Sequence, residues 1–223
     1  MQRLSTQQMA AIALAALANA RRLFDDAVLL RDCGRIPSAF LLAGLAADEL
    51  GKHVMVASFY GIREETDAEW RNFWRRFRTH QEKLGDALWS AWIGDLLTDD
   101  PPPNVEAFHL QRLAATYVDV SQEGELKVPT DAITEEELND VLDKLLSEVE
   151  YCETYLATAT PSTLGATLAA MRKSEYANEL RGVIGDQGST GAMAYAVAIR
   201  AGLAHDEAVA VAAEATAVFR KTQ

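Results

Sequence analysis

Residues 70–84 have the sequence WRNFWRRFRTHQEKL, and the rest of the chain is organised around this stretch. At about 100° per residue, its four large aromatic side chains and Leu84 fall on one apolar stripe, as in an amphipathic helix that packs against a core. Arg76, His80 and Lys83 gather along the flank of that stripe. The stretch therefore predicts a helix with a core face and a basic flank.

The basic flank differs in charge from the rest of the chain. Residues 71–83 contain five lysines and arginines and one glutamate, a local net charge of +4, whereas the whole chain carries −12. A cluster of cations beside a histidine is a candidate site for an anionic ligand. The alternative is a buried amphipathic helix whose arginines extend into water and whose histidine has an ordinary structural role.

The composition is that of a folded protein. The chain has 223 residues, 49% hydrophobic and 24% charged, enough for one sizeable domain with or without an appended helical unit. No stretch of about 18 apolar residues is present, and the alanine-rich run at 9–18 lacks the preceding cationic segment of a secretory leader. Cys33 and Cys152 are far apart, which predicts free thiols in a reducing cytoplasm. A pI near 4.8 argues against a protein that coats nucleic acid non-specifically. A small basic site is compatible with this pI.

Helical periodicity runs through the whole chain. Gly34 to Pro37 predicts a tight turn between two long helices, and Thr134 with Glu137 forms a capping box of the S/T-x-x-E type. Predicted helices cover residues 5–33, 37–59, 68 to 97 with a continuation or a restart after Gly85, 105–116, 135–159, 162–183, 188–202 and 205–221. No alternation of β-branched residues predicts a strand. The predicted fold class is all-α, with a helical bundle as the architecture.

Several well-known site chemistries find little support. A di-iron bundle needs two Glu-x-x-His pairs, and the chain has one, from Glu106 to His109. There is no nucleophile elbow for Ser/His/Asp hydrolysis and no Gly-rich phosphate loop of the Walker type. Glu49 and Lys52 are three residues apart on the second predicted helix, where they could face a groove between helices or form a surface ion pair.

Several groups of residues, taken in order, carry a resemblance to a known family. They are residues 19–27, 34–35 and 46–52 in the first hairpin, residues 73–84 in the middle helix, and Arg112 with 117–119 and Pro129. These motifs resemble the AbiV family of abortive-infection proteins over residues 10–160. That family is similar to the HEPN superfamily of helical bundles, many of which are metal-independent ribonucleases in phage defence, toxin systems and RNA processing. The resemblance implies a HEPN-like bundle with additional C-terminal helices.

The resemblance also implies where a site would lie. HEPN proteins bring an Arg-x(4–6)-His motif from each subunit to a homodimer interface, and Arg75 with His80 satisfies that spacing. On a regular helix Arg75 and His80 point about 140° apart, whereas Arg76 and His80 share a face, so that either arginine could pair with His80. Arg76 also stands where the family usually has a polar residue after the motif arginine.

The chemistry of RNA cleavage suits these residue types. RNA carries its own nucleophile in the 2′-hydroxyl, so a histidine that moves the proton and cations that stabilise the phosphorane can suffice without a metal. A single-stranded substrate would fit a small groove better than a duplex. The candidate catalytic residues are Arg75, Arg76 and His80, and the candidate substrate-binding residues are Lys83, Glu49, Lys52, Arg112 and Tyr117.

The resulting hypothesis is an antiphage abortive-infection protein with a HEPN/AbiV-like bundle at residues 1–160 and a C-terminal helical extension at 161–223 packed on it. It would be a cytoplasmic, homodimeric endoribonuclease or toxin that acts on RNA. It would need no cofactor or metal, associate with no membrane and be triggered by a phage or host protein. The first alternative is a non-catalytic sensor that binds a protein partner or a nucleotide, which the net charge of −12 favours. The second is a purely structural helical bundle.

Overall fold

The computed structural model describes residues 2–62, 65–94, 104–174, 191, 194, 195, 198 and 202–221. Eight helices and one short hairpin are defined within these ranges, and the predicted all-α class is confirmed. The helices are α1 (Thr6–Asp32), α2 (Ile36–Ile62), α3 (Asp67–Arg78), α4 (His80–Gly94), α5 (Val105–Ala114), α6 (Glu135–Leu156), α7 (Pro161–Lys173) and α8 (His205–Lys221). The hairpin pairs β1 (Asp119–Val120) antiparallel with β2 (Leu126–Lys127), and a 3-10 turn follows at Pro129–Asp131.

The α1–α2 hairpin is the framework of the bundle. Ser5 and Gln8 form a capping box at the start of α1, and Gly34 makes the turn into α2 with a φ of +69°, which glycine adopts without strain. Thr134 and Glu137 form the predicted capping box at the start of α6. The predicted turn at Gly34 and the predicted capping box at Thr134 are therefore confirmed.

Two apolar clusters hold the helices together. The larger cluster joins α1, α2, α4, α5 and α6, and it includes the fully buried Phe40, Leu50 and Leu138. The smaller cluster lies between the first half of α1, the second half of α2, α3 and α7, with Trp70 and Phe59 in ring contact at its centre. The aromatic stripe is therefore core: Trp70, Phe73 and Leu84 are buried, and Trp74 and Phe77 are partly buried against the same clusters.

The prediction that one helix continues from residue 68 to Gly85 is wrong, because the helix is interrupted at Thr79. Thr79 has extended backbone dihedrals, with a φ of −96° and a ψ of 123°. Its amide donates to the Arg76 carbonyl at 3.0 Å and its hydroxyl donates to the Arg75 carbonyl at 2.9 Å, so the end of α3 is satisfied locally. His80 then begins α4, and its direction is no longer tied to Arg75 or Arg76 by helical periodicity.

Other boundaries differ by a few residues. α2 runs on to Ile62, into the predicted loop at 61–67, and α5 and α6 end earlier than predicted. The helix predicted at 162–183 ends at Lys173, because Ser174 has extended backbone dihedrals. A hairpin of two-residue strands is present where no strand was expected. α7 packs on α1 and α2, with the backbone of Gln7 close to Gly165. The predicted helix end at 97, residues 175–183 of one predicted helix and most of the helix predicted at 188–202 lie outside the described residues.

Two further expectations concern the thiols and the membrane. Cys33 is exposed and Cys152 is buried, and both are free as predicted. None of the helices in the described ranges combines the length and the apolarity needed to cross a bilayer.

Candidate functional site

Polar side chains from three helices converge where α2, α4 and α5 pack together. The residues come from stretches that are distant in sequence, and their charges influence one another. They are Asp48, Glu49 and Lys52 on α2, His80 and Lys83 on α4, and His109 and Arg112 on α5. Five of these seven residues belong to the predicted site: Glu49, Lys52, His80, Lys83 and Arg112.

Four of these residues form a continuous chain of contacts, which we call the Asp48 network: His80, Asp48, Arg112 and His109. His80 Nδ1 lies 2.5 Å from Asp48 Oδ2, and Arg112 Nη1 donates to the same oxygen at 3.0 Å. The second terminal nitrogen of the guanidinium, Nη2, lies 3.2 Å from His109 Nδ1. One buried carboxylate and one buried guanidinium therefore connect two histidines on different helices.

The network holds the His80 ring in a defined state. A carboxylate only accepts hydrogen bonds, so Nδ1 of His80 carries the proton and Nε2 is the free ring nitrogen. The side chain of Asp48 is 4% exposed, whereas that of His80 is 55% exposed. A buried acid thus orients an exposed imidazole whose Nε2 is available for proton transfer.

Two glycines on α2 make room for this arrangement. A Cβ atom at Gly51 would lie 2.0 Å from the backbone oxygen of Lys83, and one at Gly44 would lie 2.5 Å from Cδ of Arg112. Gly44, Asp48 and Gly51 are four and three residues apart, and therefore share one face of α2. Because Gly44 and Gly51 have no Cβ, α4 and the Arg112 side chain can approach Asp48 closely.

Lys83 adds a second buried cation beside Asp48. The residue is 6% exposed, and its ammonium makes no hydrogen bond or ion pair with any residue that the structure describes. Burial lowers the pKa of Lys83, and the positive charges of Lys52 and Arg112 lower it further, while Asp48 and Glu49 act in the opposite direction. Lys83 is therefore a cation held close to, but not bonded with, the acid of the network.

Glu49 and Lys52 form the predicted ion pair next to the network. Lys52 Nζ donates to Glu49 Oε1 at 2.6 Å, and the two side chains are 22% and 19% exposed. Lys52 Nζ also lies 5.7 Å from the centre of the Phe77 ring. The pair is partly buried between helices, which matches the groove-facing interpretation of its spacing better than a surface ion pair.

The two candidate catalytic arginines, Arg75 and Arg76, lie apart from the network. Arg76 Nη2 donates to both carboxylate oxygens of Asp86 at 2.8 Å, and its Nε donates to Glu82 at 3.0 Å. Burial opposes the charge of Arg76, yet Asp86 and Glu82 raise its pKa. Arg75 is 59% exposed and donates to Glu82 at 2.7 Å and to Asn72 at 3.0 Å. Acidic side chains thus pair with both Arg75 and Arg76.

The comparison with protein families bears on the same part of the chain. The family model HEPN_AbiV, described as AbiV, matches residues 8–145, which is more than half of the chain. The chain belongs to the AbiV family. No curated protein and no solved structure matches it significantly. The matched range of this AbiV chain contains every residue of the Asp48 network, whereas α7 and α8 lie beyond it.

Tyr117, the remaining candidate in the AbiV chain, lies on another surface. Its side chain is 63% exposed and lines a groove of about 800 Å³ together with Leu110, Leu113 and Leu126, which we call the apolar groove. Leu110 and Leu113 project from the face of α5 adjacent to the one that carries His109 and Arg112. The groove is formed by α5, the hairpin and the turn after it.

Two members of the network were missing from the predicted site. Asp48 is not among the candidate residues, and His53, five residues further along α2, points to α1, where its Nδ1 contacts the Ala13 carbonyl at 3.1 Å. His109 enters the predictions only as half of the Glu-x-x-His pair of a di-iron site. No metal-binding group of three or more His, Cys, Asp or Glu side chains is found in the described ranges. The available signals were the glycines flanking Asp48 and the i, i+3 spacing of His109 and Arg112.

Proposed function

We propose that this AbiV-family protein is an abortive-infection endoribonuclease that cleaves single-stranded RNA at the Asp48 network without a metal. The single observation that carries the proposal is the exposed His80 ring, held through Nδ1 by a buried carboxylate that is itself bonded to Arg112. This arrangement leaves Nε2 free to act as a general base.

The reaction uses the nucleophile that RNA supplies. His80 Nε2 takes the proton of a ribose 2′-hydroxyl, the 2′-oxygen forms a bond to the adjacent phosphorus, and the bond from phosphorus to the 5′-oxygen breaks. The leaving 5′-oxygen takes a proton from water, and His80 later returns its proton to solvent. The products are a 2′,3′-cyclic phosphate and a 5′-hydroxyl.

Two buried cations support this chemistry from within the protein. Arg112 and Lys83 place positive charge beside Asp48, in a region of low dielectric where it acts strongly on negative charge developing at a bound phosphate. Arg112 is a positioning residue, because both of its terminal nitrogens are engaged with Asp48 and His109. In this proposal Arg112 is the arginine that acts with His80, whereas the sequence spacing had suggested Arg75 or Arg76.

The assembly proposed for this enzyme is a cytoplasmic homodimer formed through the apolar groove. Leu110, Leu113, Tyr117 and Leu126 are between 40% and 68% exposed, and large apolar side chains grouped in this way are typical of interaction surfaces. Because α5 carries both the groove and two residues of the network, association there would place a second copy near the site. A phage or host protein would raise the activity of this toxin above its basal level during infection.

The test is cleavage of a mixed pool of single-stranded RNAs in EDTA by wild type, His80→Ala and His205→Ala. His205 is a matched control, because it contacts Tyr195 and lies outside the network. We expect cleavage by wild type and His205→Ala, loss of at least about 100-fold with His80→Ala, and 2′,3′-cyclic phosphate ends. Cleavage that requires a divalent metal, or that persists in a folded His80→Ala variant, would contradict the proposal.

A non-catalytic sensor is the second candidate, and the ion pairs of the basic flank favour it. Arg75 and Arg76 are already paired with Glu82 and Asp86, and a chain of net charge −12 opposes RNA binding. Binding of a protein partner or a nucleotide that depends on Lys52 and Arg112, without RNA turnover by any variant, would select this function.

A further inference from the structure

His109 is a titratable group of the network that the proposed reaction does not use. It lies on α5, partly buried, with its Nδ1 at 3.2 Å from Arg112 Nη2. An arginine side chain can only donate hydrogen bonds, so His109 Nδ1 must be the acceptor. A ring whose Nδ1 is an acceptor carries its proton on Nε2.

The surroundings of His109 keep the ring in this neutral form. Burial lowers the pKa of His109, the positive charge of Arg112 lowers it further, and Asp48 opposes them. Protonation of Nδ1 would also replace a hydrogen bond with a contact between two donors, of which the guanidinium is permanently charged. Geometry and charge therefore agree on a neutral ring with Nε2–H.

The two histidines at the ends of the network have opposite polarity. His80 donates from Nδ1 to a carboxylate and presents a lone pair at Nε2, whereas His109 accepts at Nδ1 from a guanidinium and presents N–H at Nε2. A substrate that gives a proton to one ring and accepts a hydrogen bond from the other fits this pair. A ribonucleotide does so, through its 2′-hydroxyl and its phosphate oxygens.

We propose that His109 is a second functional histidine, which donates a hydrogen bond from Nε2 to a phosphate oxygen of the RNA whose 2′-hydroxyl faces His80. The inference rests on the proposed function and adds a substrate contact to it. His109 transfers no proton in this role, because a neutral imidazole N–H is too weak an acid to protonate a leaving oxygen. Its contribution is to bind and orient the phosphate.

The tautomer can be tested without any substrate. Long-range ¹H–¹⁵N correlation spectra of the uniformly labelled protein, recorded about one pH unit above the ordinary histidine pKa, distinguish a protonated from an unprotonated ring nitrogen. Assignment by His109→Gln and His80→Ala should show Nε2–H for His109 and Nδ1–H for His80. A His109 ring protonated on Nδ1 would overturn the inference, whether or not the protein cleaves RNA.

The substrate contact can be tested with a 2′-O-methyl RNA oligonucleotide, which lacks the nucleophile and cannot be cleaved. We expect His109→Leu to bind it about tenfold more weakly than wild type, as for the loss of one hydrogen bond, and His109→Gln to retain most of the affinity because its amide nitrogen replaces Nε2. Equal affinity of wild type and His109→Leu would overturn the inference, as would equal losses in the two variants, which would indicate a structural role.

The two proposals fail in different ways. If His109 has Nε2–H and His109→Leu weakens oligonucleotide binding, but natural RNA is not cleaved, the donor role of His109 is supported and the ribonuclease proposal is contradicted. If RNA is cleaved in a manner that depends on His80, but His109→Leu cleaves and binds like wild type, the ribonuclease proposal is supported and the inference about His109 is overturned.

Discussion

Asp48 is the residue on which the site depends, and its two oxygens have different surroundings. Oδ2 is shared by His80 and Arg112, whereas the buried Oδ1 has no hydrogen-bond partner among the described residues. Burying a carboxylate costs free energy unless neighbouring positive charge offsets the loss of hydration, and Arg112 and Lys83 supply that charge beside Asp48. The buried carboxylate that orients His80 therefore lowers the stability of the fold.

The arginines of the basic flank differ sharply in their importance for stability. Arg76→Ala removes a bidentate partner of Asp86, whose side chain is 7% exposed, and should lower the free energy of unfolding by about 3 kcal/mol. Arg75→Ala alters an exposed pair and should change it by under about 1 kcal/mol. Urea titrations of both variants measure the difference, and similar effects in the two would contradict the account.

His53 makes stability depend on pH. Burial lowers its pKa, only partly opposed by the Ala13 carbonyl, so the unfolded chain binds a proton that the folded chain resists. As the pH falls through the ordinary histidine range near about 6.5, the free energy of unfolding should therefore fall as well. His53→Asn, whose amide nitrogen replaces Nδ1 as the donor to Ala13, should lose less Tm than wild type on acidification; an equal loss in both would show that His53 is not responsible.

At the scale of the elements, the glycine-flanked face of α2 determines how closely α4 can approach. Ala is preferred to Gly inside a helix by about 1 kcal/mol, but a Cβ at Gly51 would lie 2.0 Å from the Lys83 carbonyl oxygen. The steric term is larger than the helix preference, because backbone atoms at that distance must move. Asp48 can reach His80 and Arg112 only while these helices stay close.

Gly51→Ala should therefore lower the free energy of unfolding by about 1–3 kcal/mol. Gly85→Ala is the matched control, since Gly85 lies inside α4 and a Cβ there would meet nothing nearer than Val105 Cγ2 at 4.0 Å. The control should be neutral or stabilising by up to about 1 kcal/mol. Thermal melts of the two variants decide, and an unchanged Tm for Gly51→Ala would argue against close packing of α2 and α4.

At the scale of the whole molecule, the apolar groove and the site lie on adjacent faces of α5. Leu126→Glu should convert the proposed homodimer to a monomer, because it places a charge on a 68%-exposed side chain that lines the proposed interface. Leu29→Glu, at a 64%-exposed leucine near the end of α1, should leave the mass unchanged. Light scattering after size exclusion measures both; a monomeric wild type would contradict the homodimer.

The predictable part of this molecule is the part governed by local sequence. The capping box at Thr134, the turn at Gly34 and the core role of the aromatic stripe all follow from patterns within a few residues. The interruption at Thr79 could not be predicted, because it depends on α4 turning to pack against α2. The contact of Arg112 with Asp48 spans 64 residues and requires α5 to be docked on α2 and α4, which no local spacing encodes.

The central claim is that His80 works with Asp48 and Arg112 of the Asp48 network, and not with Arg75 or Arg76. The most direct measurement is the rate of RNA cleavage by wild type, Asp48→Asn and Arg75→Ala, each first shown to be folded. A neutral amide no longer favours the Nδ1–H form of His80, so we predict a loss of about 100-fold or more for Asp48→Asn and less than about threefold for Arg75→Ala. The opposite result, with Arg75→Ala inactive and Asp48→Asn active, would contradict the account.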